Sequence, residues 1–237
     1  MKIDKRKKYY MVFDTETLDN EFDEKGQINR KKGLVYDLGF VVVDKLGTVY
    51  EQKSFVIQET FFGLADLMQS CYYANKIANY LDEIDKGERE VLPFYLARKI
   101  MFDIAREYNI TDFVAFNAWF DFSMLNNTMS YLTDNKYNKF FWKEHNILDS
   151  MQMARYTIGK QKLYIKWCYE NGFLTKAGKP KLNVETLYRY MSNNKNFDES
   201  HTGLEDAIIE SQIMILALRQ HKKMKGVNIL EKYRNKA

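Results

Sequence analysis

Met11-Val12-Phe13-Asp14-Thr15-Glu16-Thr17 is the stretch on which the fold turns. Met11, Val12 and Phe13 read as the end of an apolar strand, and Asp14 and Glu16 follow two residues apart. In an extended chain that spacing puts both side chains on one face. Like charges so placed repel and are costly to desolvate, so an acidic pair leaving a buried strand calls for a cation. The plain alternative is a strand that has ended, with two solvated loop acids. This segment alone does not choose between them.

Two later segments do. Asp112-Phe113-Val114-Ala115-Phe116 reads as a short strand, and residues 117–125 as a helix entered through an Asn117 cap, which puts Asp121 in the first helical turn close to the strand end. Further on, His201-Thr202-Gly203-Leu204-Glu205-Asp206-Ala207 precedes Ile208, Ile209, Ile213, Leu216 and Leu218, apolar at helical spacing. Asp206 then lies in the first turn and His201 on the loop before it. Taken singly, an acid at a helix start is a dipole-stabilising surface residue more often than a ligand.

Together, Asp14-Thr15-Glu16, Asn117-Ala118-Trp119-Phe120-Asp121 and His201-Thr202-Gly203-Leu204-Glu205-Asp206 resemble, in order, the three motifs of the DEDDh (DnaQ-like) 3′→5′ exonuclease superfamily. The resemblance runs from about residue 8 to about residue 221 and rests on five functional positions in three contexts. Two departures are visible: Phe116 stands where many members have His, and Gly203 where many have Ala. Neither removes an acid or the histidine. The resemblance implies a ribonuclease H-like α/β fold, a five-stranded mixed sheet flanked by helices, with helical and hairpin insertions.

It also implies a chemistry. The four carboxylates, with neither Cys nor a ligand-spaced His among them, make a hard-oxygen site suited to Mg²⁺ or Mn²⁺. Two cations about 4 Å apart activate a water and stabilise a leaving oxygen in phosphodiester hydrolysis. By resemblance, Asp14 bridges the ions, Glu16 and Asp206 complete the site of the attacking water, Asp121 acts largely from behind, and His201 is the general base. Thr15, Thr17 and Asn117 are expected contacts to the terminal nucleotide, with Phe120 a wall against it. The products are nucleoside 5′-monophosphates.

Composition sets the frame. The 237 residues, 46% hydrophobic, suffice for one domain with a full core. No apolar run approaches the roughly 20 residues of a membrane span, and Lys5-Arg6-Lys7-Lys8 leads into a strand, so a soluble cytoplasmic protein is expected. Cys71 and Cys168 are too few for a disulfide framework or zinc site and read as small buried residues. Residues 1–10 carry five Lys/Arg against one acid and residues 219–237 seven against one, leaving 11–218 at −6. That distribution suits an acidic, cation-binding centre with outlying basic segments on a polyanion, or simply solubilising ends.

Along the chain, residues 19–33 read as a charged loop, 34–43 and 48–57 as strands joined by a turn at 44–47, 63–108 as mostly helical with Pro93 opening the later helix, and 146–149 as the fifth strand, with Asp149 capping a helix over 150–157. Residues 159–182 form a basic insertion within the single domain 1–237: a helix over 160–172 with a Gly stop, then a hairpin over 173–182 turning at Ala177-Gly178. Tyr164 and Trp167 are expected to pack inward, and Lys176, Lys179 and Lys181 to contact nucleic acid.

The expected partner is the 3′ end of a single-stranded nucleic acid, with replication or repair machinery as a further candidate. DNA is favoured because the insertions and the basic hairpin resemble phage-encoded and DNA-processing members. The alternatives are an RNA exonuclease of the oligoribonuclease kind, a proofreading subunit docked on a polymerase, and a domain that binds without cutting. The last conflicts with all five positions being filled.

Overall fold

The computed structural model describes residues 3–18, 33–71 and 73–231, so the charged loop expected over 19–33 lies, but for Gly33, outside the described residues, as do Lys232, Arg234 and Lys236. Three long strands come first: β1 (Tyr9–Leu18), β2 (Leu34–Asp44) and β3 (Val49–Ile57). They form an antiparallel meander with Val12 opposite Val41 and Asp37 opposite Val56. Short helices α1 (Gln58–Phe61), α2 (Ala65–Ser70) and α3 (Ile77–Asp85) follow, with a 3₁₀ turn Ala74–Lys76 between the last two. Then come β4 (Glu90–Leu92), α4 (Phe94–Glu107), β5 (Asp112–Ala115), α5 (Trp119–Thr133), β6 (Asn146–Asp149), α6 (Ser150–Tyr156), α7 (Lys162–Asn171), α8 (Val184–Ser192) and α9 (Gly203–Leu218).

The strands lie in one mixed sheet in the order β4-β3-β2-β1-β5-β6, with β5 parallel to β1 and to β6. The expected α/β sheet is therefore present, with six described strands where five were expected. The extra strand, Glu90–Leu92, runs parallel to Phe55–Ile57. It falls within the stretch 63–108 that read as mostly helical, but Leu92 precedes Pro93 and is steered to extended backbone, and β3 offers it an otherwise bare edge.

Each face of the sheet has its own core. Met11, Phe13, Leu38, Phe40 and Phe113 pack against Ala97, Met101 and Phe102 of α4 and Leu125 of α5. On the opposite face Tyr10, Val12, Val41, Val43 and Val114 pack against Met214, Ile215 and Ala217 of α9. Each fully buried Val, Ile or Phe contributes about 1.5–3 kcal/mol, so these two layers are a large share of what holds the sheet between its helices. Alternation then decides the site: Asp14 and Glu16 continue the Tyr10–Val12 face, the one α9 covers.

Two smaller cores complete the molecule. Leu18, Tyr36, Val56, Phe61, Met68 and Tyr80 hold α1–α3 over one end of the sheet. Ala154, Ile158, Tyr164, Cys168 and Leu187 join Ile209 and Ile213 of α9, so the basic insertion folds onto the last helix through an apolar centre. Tyr164 is fully buried, Trp167 stacks on Phe173 with ring centroids 4.8 Å apart, and both cysteines are buried. The inward packing expected of Tyr164 and Trp167 is what the structure has. Gly172 stops α7 at φ +74°, and the following turn closes with Thr175 N–H on the Lys179 carbonyl, 2.7 Å.

Two local expectations need correction. β1 does not end before the acids: it continues to Leu18 with Asp14 opposite Gly39 and Glu16 opposite Asp37, and only between Glu16 and Thr17 does the register shift. The pairing with β2 keeps polar residues in the strand. Asn117 does not cap α5: Ala118 is the N-cap residue, and Asn117 sits one position earlier in left-handed backbone at φ +57°. At the basic start, Lys7 pairs with Asp44 at 2.9 Å and Lys8 with Asp112 at 2.5 Å.

Candidate active site

Where β1 passes under the start of α9, a cleft of about 1000 Å³ opens, lined by Asp14, Thr15, Glu16, Thr17, Asn117 and Phe120 and by His201, Asp206 and Glu210. The three motif segments, far apart in sequence, thus meet. The turn after β5 brings Asn117, the start of α5 brings Phe120, and α9 brings Asp206 in its first turn, as its apolar periodicity implies.

Asp121 is buried beneath the cleft and is held by Thr15, whose N–H and hydroxyl both donate to Asp121 Oδ1 at 3.1 and 2.7 Å. Thr15 lines the cleft, but these two donors are committed to Asp121, which ties the first motif to the second. Asp37, opposite Glu16 on β2, ties the neighbouring strand to the third motif. Its Oδ2 accepts from Gly203 N–H at 3.0 Å, from Tyr80 at 2.7 Å and from Arg89 at 2.9 Å, so a buried ion pair fixes the α9 N-terminus against β2.

The carboxylates repel one another in a dry place. Burial, and then Glu210, Asp121, Glu16 and Asp206 around it, push the Asp14 carboxyl well above the ordinary carboxylate range. Burial, with Asp206 and Asp37 nearby, pushes Glu16 up to about 9. Burial lifts Asp206 to about 7, reinforced by Glu199, and lifts Asp121 to about 7 against the pull of the Thr15 hydrogen bonds. Such a constellation is costly unless a cation neutralises it.

The donor set fits a divalent cation. One ligand atom each from Glu16, Asp206 and His201 lie within 4.8 Å of one another. Asp206 Oδ1 is buried with no hydrogen-bond partner, an acceptor facing nothing in the protein. The carboxylate oxygens suit a hard ion.

His201 occupies left-handed backbone at φ +51° and stacks on Tyr73, centroids 4.9 Å apart. Lys76 donates to its carbonyl at 3.1 Å and to the carbonyl of Ser200, and Nδ1 lies 3.9 Å from Glu199 Oε2. Burial and then Lys76 hold the imidazole below its ordinary pKa, hence neutral at pH 7.

The hairpin enters the cleft only in part. Lys181 lines it with Thr175, Leu182 and Asn183, whereas Lys176 and Lys179 lie outside on the exposed turn. Sequence reasoning missed Glu210, Glu199, Lys76 and Tyr73. Glu210 had a signal: it stands four residues after Asp206, on the same face of α9, as an acid inside an apolar run. Lys76 and Tyr73 come from the α2–α3 connection, and nothing in their local sequence points to the site.

No family model matches the sequence, and no curated protein matches it. Among solved structures the fold is that of the DEDDh 3′-exonucleases. The nuclease domain of 3′hExo, a DEDDh family member bound to rAMP, is 11% identical with a TM-score of 0.55, covering 92% of this chain and 96% of that one. A 3′-exonuclease in specific recognition of the histone mRNA stem-loop is 10% identical, TM-score 0.57, over 92% of this chain and 84% of that one. E. coli exonuclease I in complex with a dA16 oligonucleotide is 13% identical, TM-score 0.55, over 90% of this chain, which spans 41% of its length. The likeness is one of fold, and it agrees with what the three motifs imply. No described helix is long and apolar enough to cross a membrane.

Proposed function

We propose that this chain is a metal-dependent 3′→5′ exonuclease that removes nucleoside 5′-monophosphates from single-stranded nucleic acid, DNA in preference to RNA. The observation that carries the reading is the convergence of Asp14, Glu16, Asp206 and His201 on one cleft, with Asp121 tied beneath it through Thr15. Asp14, Glu16 and Asp206 would hold Mg²⁺ or Mn²⁺, two ions in all, and Asp121 would support them through Thr15. When bound, such ions supply Lewis acidity to the scissile phosphate and lower the pKa of the attacking water.

The chain's own groups do the rest. His201, neutral at pH 7, accepts the water's proton, and its position is held by Tyr73 and Lys76. Thr17, Asn117 and Phe120 line the space for the terminal nucleotide. Lys181 meets phosphate inside the cleft, while Lys176 and Lys179 meet the strand as it leaves.

Solved structures of this fold include one with a histone mRNA stem-loop and one with a dA16 oligonucleotide, so fold does not select the sugar. The preference for DNA rests on the likeness of the insertions and the basic hairpin to those of DNA-processing members. The test is a product ladder from end-labelled single-stranded DNA, duplex DNA and RNA of equal length, each with Mg²⁺ and with Mn²⁺. Single-nucleotide steps from the 3′ end, fastest on single-stranded DNA, are expected. Cleavage within the chain, or none in either metal, overturns the reading, and faster digestion of RNA reverses the preference.

A further inference from the structure

Glu210 is a buried carboxylate that the motif reading does not use. It lies one helical turn beyond Asp206 on α9, lines the same cleft, and is the largest charged influence on Asp14. A carboxylate so placed costs more than a Met or Leu of similar volume, so its presence asks for a task.

Its partner supplies one. β5 ends at Ala115, and the next two backbone N–H groups are taken up by side chains. Phe116 N–H donates to Glu210 Oε2 at 3.0 Å, and Asn117 N–H donates to Asp149 Oδ1 at 3.2 Å. Two carboxylates from different elements therefore grip consecutive amides of one turn. That turn carries Asn117, held left-handed at φ +57°, and leads within four residues to Asp121. Asp149 is itself fixed, because it also caps α6 through Met151 and Gln152 N–H at 2.9 and 3.2 Å. Glu210 is the remaining clamp, and it sits on the helix that brings Asp206.

We infer that Glu210 is a positioning residue: its hydrogen bond to Phe116 N–H locks the turn that carries Asn117 and leads into Asp121 to the helix carrying Asp206, setting the two halves of the site in register. This rests on the exonuclease reading for its effect on rate, but the clamp itself does not. Misplacing catalytic groups by about 1 Å can cost on the order of 100-fold in rate, so a lost clamp should be visible in turnover.

The experiment compares Glu210→Gln, which keeps an acceptor of the same shape, with Glu210→Met, which fills the volume without one. Backbone amide exchange over residues 113–120 is followed by mass spectrometry beside kcat, KM and thermal stability in Mn²⁺. In Glu210→Met the turn should exchange faster and kcat should fall about 10- to 100-fold with KM little changed, in a variant whose cooperative melting shows that it is folded. Glu210→Gln should keep slow exchange and wild-type turnover to within a few-fold. Unchanged exchange in Glu210→Met overturns the clamp, whatever the activity. Equal loss of turnover in the two variants shows that charge and not the hydrogen bond matters, and also overturns it. If wild type cuts no substrate, the exonuclease reading fails and the exchange result alone decides the clamp.

Discussion

Gly39 in β2 and Gly203 at the start of α9 meet backbone to backbone. A Cβ on Gly39 would fall 2.0 Å from the Gly203 carbonyl carbon and 2.0 Å from the Leu204 nitrogen, and one on Gly203 would fall 2.7 Å from the Gly39 nitrogen. Only because both side chains are absent can the helix start lie on the strand, three residues before Asp206 and across from Asp14. The departure at Gly203 from the Ala of the resembling family therefore has a physical reason here: the strand backbone occupies the space a methyl group needs.

Gly39→Ala should push α9 off β2. Overpacking of this kind costs about 1–3 kcal/mol, and the displaced helix carries Asp206 away from Glu16. Denaturant midpoints should drop and hydrolysis should be lost at temperatures where the variant is still folded. Wild-type stability together with wild-type turnover is the result that contradicts the crossing.

Metal-free protein should become less stable as pH rises. The carboxyls of Glu16, Asp121 and Asp206 titrate near 9, 7 and 7 in the folded chain, whereas unfolded carboxyls titrate near about 4. Between those values the folded state holds more protons than the unfolded one, so the slope of stability against pH is negative. The loss begins above about pH 4 and continues through about 9. Melting curves from pH 5 to 9 in chelator should show it, and Mn²⁺ should flatten the slope by taking the protons' place. A flat or rising curve without metal speaks against the carboxylate cluster.

Asp14→Asn and Asp206→Asn should each abolish hydrolysis while melting in chelator at the wild-type temperature or above, because one repelling charge has been removed from a buried group. Turnover near wild type in either, at saturating Mg²⁺, excludes the arrangement.

His201→Gln should lower kcat by about 10²- to 10⁴-fold with substrate affinity largely kept, as expected on loss of a general base. The wild-type rate should fall in acid only below the ordinary histidine range, since burial and Lys76 hold the imidazole down. If the variant keeps the acid limb of the wild-type profile, another group accepts the proton.

The hairpin lysines should separate into two kinds. Lys181→Ser, inside the cleft, should weaken di- and trinucleotide substrates and long strands alike. Lys176→Ser with Lys179→Ser should weaken long strands alone and make the salt dependence shallower, by up to about 0.7 per lost contact on a log-log plot. Affinity and cleavage measured on both lengths against salt decide it; equal behaviour of the two sets removes the distinction.

Local sequence was enough to pick out the residues able to do chemistry and most of the elements that carry them. Spacing along one strand put Asp14 and Glu16 on one side, helical periodicity put Asp206 in a first turn, and the Asp149 cap and Gly172 stop were legible because caps and stops are set by neighbouring residues alone. Tertiary structure decided what depends on distant backbone. It carried β1 past its acids, because β2 pairs them; it added β4, because β3 had an edge to offer; and it moved Asn117 from cap to left-handed turn. It also brought Glu210 and Tyr73 to the cleft and Lys76 to the His201 carbonyl, and admitted Lys181 while leaving Lys176 and Lys179 outside. Burial of a polar group depends on what packs across from it, and that partner lies on another element, beyond the reach of any local pattern.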